Sequence, residues 1–139
     1  MTPAIELRSE RVHGPTRRAL IKALRAFNAE KAGKDNFKPL TITVREGGEV
    51  VGGLSAETWF GWMFINLLWL DQNLRGTGVG RALMEKAEIE ARARGVANVY
   101  VDTFSFQAPG FYKKLGYREF GRLDGYPAAH SRHWLTKAL

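Results

Sequence analysis

The chain contains no cysteine, which removes disulfide bridges, thiolate-metal sites and a cysteine nucleophile together. It also has no apolar run long enough to cross a bilayer. The longest, Trp59 to Leu70, spans 12 residues and is broken by Gly61 and Asn66, where about 20 are needed. Nothing between Met1 and Glu10 forms the apolar core of a secretory signal, so a cytoplasmic location without membrane contact is expected. Repeats, low-complexity tracts and linkers are missing. Carboxylates are outnumbered: 14 Asp+Glu stand against 21 Lys+Arg, for a net charge of +7.

The 139 residues are 45% apolar and 25% charged, the composition of a folded globular chain. At this length about two-thirds of the unfolded surface can be buried, so a single domain over 1–139 is expected. Residues 1–39 carry nine basic groups and four acidic ones and so hold +5 of the net charge. Such a surface concentrates anions. A nucleotide cofactor, RNA, an acidic substrate or an anionic surface would all answer to it.

Periodicity supplies an element order. Ile5 to Arg8 alternates as a short strand. From Pro15 to about Lys31, Leu20, Leu24 and Phe27 recur at helical spacing opposite basic residues, and Gly33 ends the pattern. Leu40 to Arg45 and Glu49 to Thr58 flank Gly47-Gly48 as a hairpin. Met63 to Leu70 is apolar on both faces apart from Asn66, as a strand covered on both sides would be. Val79, Leu83, Ala87 and Ala91 mark a second helix that Gly95 ends. Asn98 to Asp102 is a strand, Ala108 to Leu115 a short helix between Pro109 and Gly116, and Tyr117 to Arg122 and His133 to Lys137 are closing strands. The reading is α+β.

Leu70 to Arg81 joins a buried strand to a helix through Gly76, Gly78 and Gly80. Amides at a helix N-terminus lack partners and face the positive end of the macrodipole, so glycines there admit phosphate oxygens to the backbone. A Walker loop would need Lys-Ser/Thr after Gly80, where Arg81-Ala82 stands. A dinucleotide fingerprint fails in both registers, at Arg81 and at Leu83. A plain loop with a helix cap is the structural alternative.

Arg75-Gly76-Thr77-Gly78-Val79-Gly80 resembles the Arg/Gln-x-x-Gly-x-Gly/Ala coenzyme A loop of the GNAT family of N-acetyltransferases. About 30 residues later, Ala108-Pro109-Gly110-Phe111-Tyr112-Lys113-Lys114-Leu115-Gly116-Tyr117 is similar to that family's Ala-x-x-Phe-Tyr-x-x-x-Gly-Phe/Tyr element. The resemblance implies the GNAT acyltransferase fold: a mixed, mostly antiparallel sheet flanked by helices, with a V-shaped splay between two central parallel strands. It implies acetyl-CoA as co-substrate and no metal. Backbone groups of Leu68, Trp69 and Leu70 would meet the pantetheine. Arg75, Gly76, Thr77, Gly78, Val79, Gly80 and Arg81 would hold the pyrophosphate, with Phe111 and Tyr112 beside the cofactor. A strand N–H beside Leu68 would stabilise the oxyanion.

The same resemblance makes Tyr112 the general acid for the departing thiolate, with a reference phenol pKa near 10. Alternatively Tyr112 only packs beside Phe111 and Tyr117. The glutamate that many members carry before the glycine loop is absent, since Asn66, Leu67, Leu68 and Trp69 fill that stretch. Glu57 and Asp102 are the substitutes as general base acting through water, against a plain reading as strand-end or capping carboxylates. Ser105 or Gln107 stands in for the family asparagine that orders the turn before Tyr112. His130 and His133 are read as surface or packing groups. The expected acceptor is a primary amine on a small molecule. A macromolecular amine (a protein N-terminus, a lysine or an aminoacyl-tRNA) is one alternative and a CoA- or RNA-binding module without turnover is another; the basic first helix leaves room for an RNA contact, although no RNP, helix-turn-helix or zinc signature is present. A homodimer is compatible with all of this.

Overall fold

The computed structural model describes residues 2–139. The chain divides into two compact units, the first ending at Asp35 and the second comprising Asn36–Leu139. In the first, helix α1 spans Pro15–Ala32, starts on Pro15 and is closed by Gly33 at φ +80°. Residues 2–11 form no regular element. The strand expected at Ile5 to Arg8 does not form: Ile5 and Leu7 are almost fully exposed, and a four-residue alternation without a ladder partner has nothing to pair with. Within α1 no residue is buried.

In the second unit six strands make one sheet in the order β1-β2-β3-β4-β6-β5. Strand β1 (Lys38–Glu46) and β2 (Glu49–Trp59) are a hairpin whose Gly47 and Gly48 both sit at positive φ, the requirement of the two-residue turn that matches strand twist. Strand β3 (Trp62–Leu70) pairs antiparallel with β2 and parallel with β4 (Asn98–Phe104). Strand β6 (Ser131–Ala138) lies antiparallel between β4 and the edge strand β5 (Arg118–Asp124). Helix α2 (Val79–Ala93) makes the crossover that the parallel β3–β4 pair requires, and the short α3 (Pro109–Lys114) precedes β5.

The core occupies one sheet face. Leu54, Ala56, Met63, Ile65, Val99, Val101 and Leu135 point there and meet Met84, Ala87 and Ala91 of α2 and Tyr112 and Tyr117 around α3. The other face carries Trp62, Phe64 and Tyr100, ringed by half-buried and exposed groups. Within this unit Met63 to Leu70 is covered on one side: Met63 and Ile65 are buried, because both α2 and α3 belong to the same face.

One polar network is built into that core. Buried Glu88 of α2 accepts from the Tyr117 hydroxyl at 2.9 Å and from Lys137 Nζ at 2.9 Å, and the ammonium lies 5.5 Å from the Tyr117 ring centre. Burial and the Glu88 charge both push the Tyr117 phenol well above its ordinary range. Glu88→Ala would strand a half-buried ammonium and a phenol together and should cost about 3–5 kcal/mol. Tyr117→Phe, which leaves the ion pair standing, should cost only about 1–2 kcal/mol. Denaturant midpoints of the two variants give the comparison, and equal losses would refute it.

Candidate active site

The central feature is the parting of β3 from β4. Their pairing runs from Trp62–Asn98 to Ile65–Val101 and then stops. At that level the β2–β3 register slips, so that Ser55 faces Leu67 while Ala56 faces Ile65 and Asn66 is left over as a bulge. A bulge bends its strand, and β3 swings away from β4 to leave a V-shaped opening. The Asp71 N–H donates to Val51 O at 2.8 Å. Because amide directions alternate along a strand, the Trp69 and Leu67 amides also point to β2, and those of Leu68 and Leu70 point into the opening. Leu68 thus presents a backbone donor there. Trp69 does not: its backbone belongs to the β2–β3 ladder and only its exposed ring remains available.

Beyond the opening the chain makes a 3-10 turn, Gln72–Leu74, capped by the Asp71 side chain on the Gln72 N–H. Arg75 folds back through Nε to Leu70 O at 3.3 Å, and Thr77 Oγ1 donates to Leu74 O, which fixes both ends of the loop. Gly76 lies at φ +72° and Gly78 at φ +90°, with open space where a Cβ would project. Gly78 is the N-cap of α2 and supplies no side-chain cap. The first amides of α2 are therefore bare, as an anion cradle requires. Gly80 has a different role. A Cβ there would stand 3.2 Å from the Phe111 ring, so glycine lets α2 close against α3. Phe111 in turn meets Tyr112 edge to face at 5.2 Å.

Tyr112 is buried, yet its hydroxyl forms no hydrogen bond among the described residues. Every buried side-chain polar atom described has a partner, so this hydroxyl must reach open space while its ring stays in the core. Burial, reinforced by the Asp102 charge, pushes its pKa up to about 12. The expectation of a phenol near 10 is corrected upward: the group is a more secure donor and a weaker acid.

Glu57 and Asp102 both fall inside strands, not at their ends. Glu57 stands opposite Phe64 on β2. Asp102 is the first residue of β4 past the last β3–β4 pair. Both charges, behind burial, raise the phenol of Tyr100 between them, which stacks on Phe64 at 4.7 Å and 17°. Asp102 is engaged: its Oδ1 accepts Arg132 Nε at 2.9 Å and a terminal guanidinium nitrogen at 2.7 Å. The turn after β4 is held by Gln107, whose Oε1 accepts the Phe104 N–H at 2.9 Å, and by Ser105, whose Oγ accepts the Ser131 N–H at 3.0 Å.

With the geometry in place, the comparisons decide the family. The model of the Acetyltransferase (GNAT) family matches residues 6–117. The chain belongs to the GNAT acetyltransferase family. It is 40% identical over 100 residues to blasticidin-S acetyltransferase of Streptomyces morookaense, covering 71% of this chain and 74% of that protein. It is 34% identical over 121 residues to acetyltransferase Atu2258 of Agrobacterium fabrum, covering 86% and 88%. Among solved structures, one from Agrobacterium tumefaciens shares 31% identity with a TM-score of 0.90 over 98% of this chain and 100% of that one. An acetyltransferase from Bacillus cereus shares 32% with a TM-score of 0.80 over 99% and 98%.

As a GNAT enzyme the protein uses acetyl-CoA as acyl donor, and the bare α2 amides behind Gly76 and Gly78 fit its diphosphate. No described helix is long and apolar enough to cross a membrane. Among the described residues no group of three or more His, Cys, Asp or Glu stands ready for a metal. His133 is buried between Ser131 Oγ and Glu119 Oε1, and His130 meets the Phe106 ring edge-on at 5.0 Å. The residue that sequence reasoning missed is Arg132. Its one signal was a basic group flanked by Ser131 and His133 at the start of a strand, and the rings near it come from three separate stretches of chain.

Proposed function

We propose that this GNAT enzyme transfers the acetyl group of acetyl-CoA to a primary amine of a small molecule by direct attack on the thioester. The observation that carries the reading is the Tyr112 hydroxyl, unpartnered among the described residues on a buried ring and within reach of the charge of Asp102, which stands where β3 and β4 part. A phenol with no structural bond to satisfy is free to serve the departing sulfur. Across the opening, the Leu68 N–H is a donor for the carbonyl oxygen as negative charge builds on it. The amine must be neutral to attack, and Glu57 or Asp102, near Tyr100, takes its proton through water. Bound acetyl-CoA supplies the activated acyl group; the chain holds, orients and moves protons. The small-molecule preference is supported by the name of the Streptomyces relative and by the rings of Phe64 and Tyr100 next to both carboxylates.

A protein or RNA-borne amine is the second reading, favoured by the cations Arg17, Arg18, Lys22 and Lys31 of α1. The test has two stages. Acetyl-CoA at about 100 times its dissociation constant should stabilise the fold by close to 2.7 kcal/mol. Free-thiol release is then measured across small aromatic and aliphatic amines, a lysine peptide and an aminoacyl-tRNA. Turnover confined to the last two would overturn the small-molecule reading, and no thermal response to acetyl-CoA would overturn the cofactor site.

A further inference from the structure

The Asp102–Arg132 pair has more constraint on it than a surface ion pair needs. The Arg132 guanidinium carbon lies 4.9 Å from the Trp134 ring centre, 5.2 Å from that of Tyr126 and 5.3 Å from that of Phe104. Its remaining terminal nitrogen donates to the Tyr126 hydroxyl at 2.9 Å. Three rings within 5.3 Å and hydrogen bonds at two acceptors hold the fork, and a planar fork that reaches two acceptors at once is a property of arginine that lysine does not share. Both guanidinium bonds to Asp102 end on Oδ1. Oδ2 has no protein partner among the described residues. Asp102 itself stands where β3 and β4 part, one residue beyond their last pair, and close enough to Tyr112 for its charge to act on that phenol. The charged and titratable groups around it are Arg132 and Tyr126 on one side, Tyr100 and Glu57 along the sheet, and Tyr112, whose phenol its charge reaches.

We infer that Arg132 is a positioning residue for acetyl transfer: boxed by Phe104, Tyr126 and Trp134, it clamps Asp102 through Oδ1 so that Oδ2 is turned to the incoming amine. The inference rests on the acetyltransferase reading above and adds to it the residue that orients the acceptor's first contact. Arg132 touches no substrate. Its effect passes through Asp102 and falls on the amine, not on acetyl-CoA.

Four variants test this. Arg132→Met keeps an apolar filling for the ring box, and KM for the amine should rise about tenfold or more while KM for acetyl-CoA and its thermal response hold. Arg132→Lys restores the charge without the two-point clamp and should recover only part of the loss. Asp102→Asn combined with Arg132→Met should be no worse for the amine than Asp102→Asn alone, since both act through one carboxylate. A readout free of activity comes from NMR: the Arg132 Nε proton should be protected from exchange in the unaltered protein and lose that protection in Asp102→Asn. Equal losses for both substrates, additive losses in the double variant, full recovery with lysine, or an Nε proton indifferent to Asp102 would each overturn the inference. If the unaltered protein releases no thiol with any amine, the acetyltransferase reading fails instead, and the Nε measurement still reports on the clamp.

Discussion

Tyr112→Phe should lower kcat by about 10²- to 10³-fold, in the range of a lost general-acid contact, while acetyl-CoA binds almost as before. The hydroxyl carries no structural bond, so its removal takes nothing from the fold, and the ring contacts at 5.2 Å with Phe111 and 6.0 Å with Tyr117 survive in phenylalanine. The raised pKa, about 12, defines what the group can do. Against a thiol near 8.5, complete transfer from such a phenol is uphill by roughly 3.5 units, on the order of 5 kcal/mol. In the proposed mechanism Tyr112 would therefore act as a hydrogen-bond donor to the developing thiolate, and the proton that neutralises the sulfur would come from the attacking nitrogen as the tetrahedral intermediate collapses. The pH consequence follows in sign: a group titrating near 12 stays protonated throughout the working range, so kcat should show no alkaline fall assignable to Tyr112 below about pH 11. A fall near pH 10 that disappears in Tyr112→Phe would contradict this, and so would a variant with unchanged turnover. Stopped-flow thiol release against pH, with acetyl-CoA saturating, separates the outcomes.

How far the sequence could lead is clearest where it stopped. The α2 pattern at Val79, Leu83, Ala87 and Ala91, the Gly47-Gly48 hairpin and the closing pair of strands were legible because burial and turn geometry act over a few neighbouring residues. The glycine loop was legible for the same reason. The breadth of the opening was not, since it depends on a one-residue slip between Ser55–Leu67 and Ala56–Ile65, and nothing in Asn66 taken alone announces a bulge. The same limit explains Trp69: its place beside Leu68 and Leu70 suggested a shared role, but amide direction alternates and assigns it to the ladder. Arg132 lay beyond reach because its box is assembled from β4, β6 and the segment around Tyr126, a long-range arrangement that no local period encodes. Ile5 to Arg8 erred in the opposite direction, a good local pattern with no neighbour to pair with.

Gly78→Asp separates the cradle from the fold, because its two effects have opposite signs. At φ +90° an aspartate carries the strain of the left-handed region, about 1–2 kcal/mol, although Asp bears it better than most residues. A carboxylate at the head of α2 is also favoured by the helix dipole by about 0.3–1 kcal/mol, and a Cβ there meets nothing within 4 Å. The melting temperature should therefore move by only a few degrees. Binding should not be spared. The carboxylate would occupy the position from which the bare amides of α2 address the diphosphate, adding a like charge at contact distance and blocking the donors. The acetyl-CoA affinity should fall about 100-fold or more, a change of roughly 2.7 kcal/mol. Calorimetric titration of the folded variant decides it: undiminished affinity would place the diphosphate elsewhere and leave the backbone angle as the reason for glycine at this cap. A matching loss in Gly80→Ala would have a different cause, the 3.2 Å approach to Phe111, and should appear as lowered stability before it appears in binding.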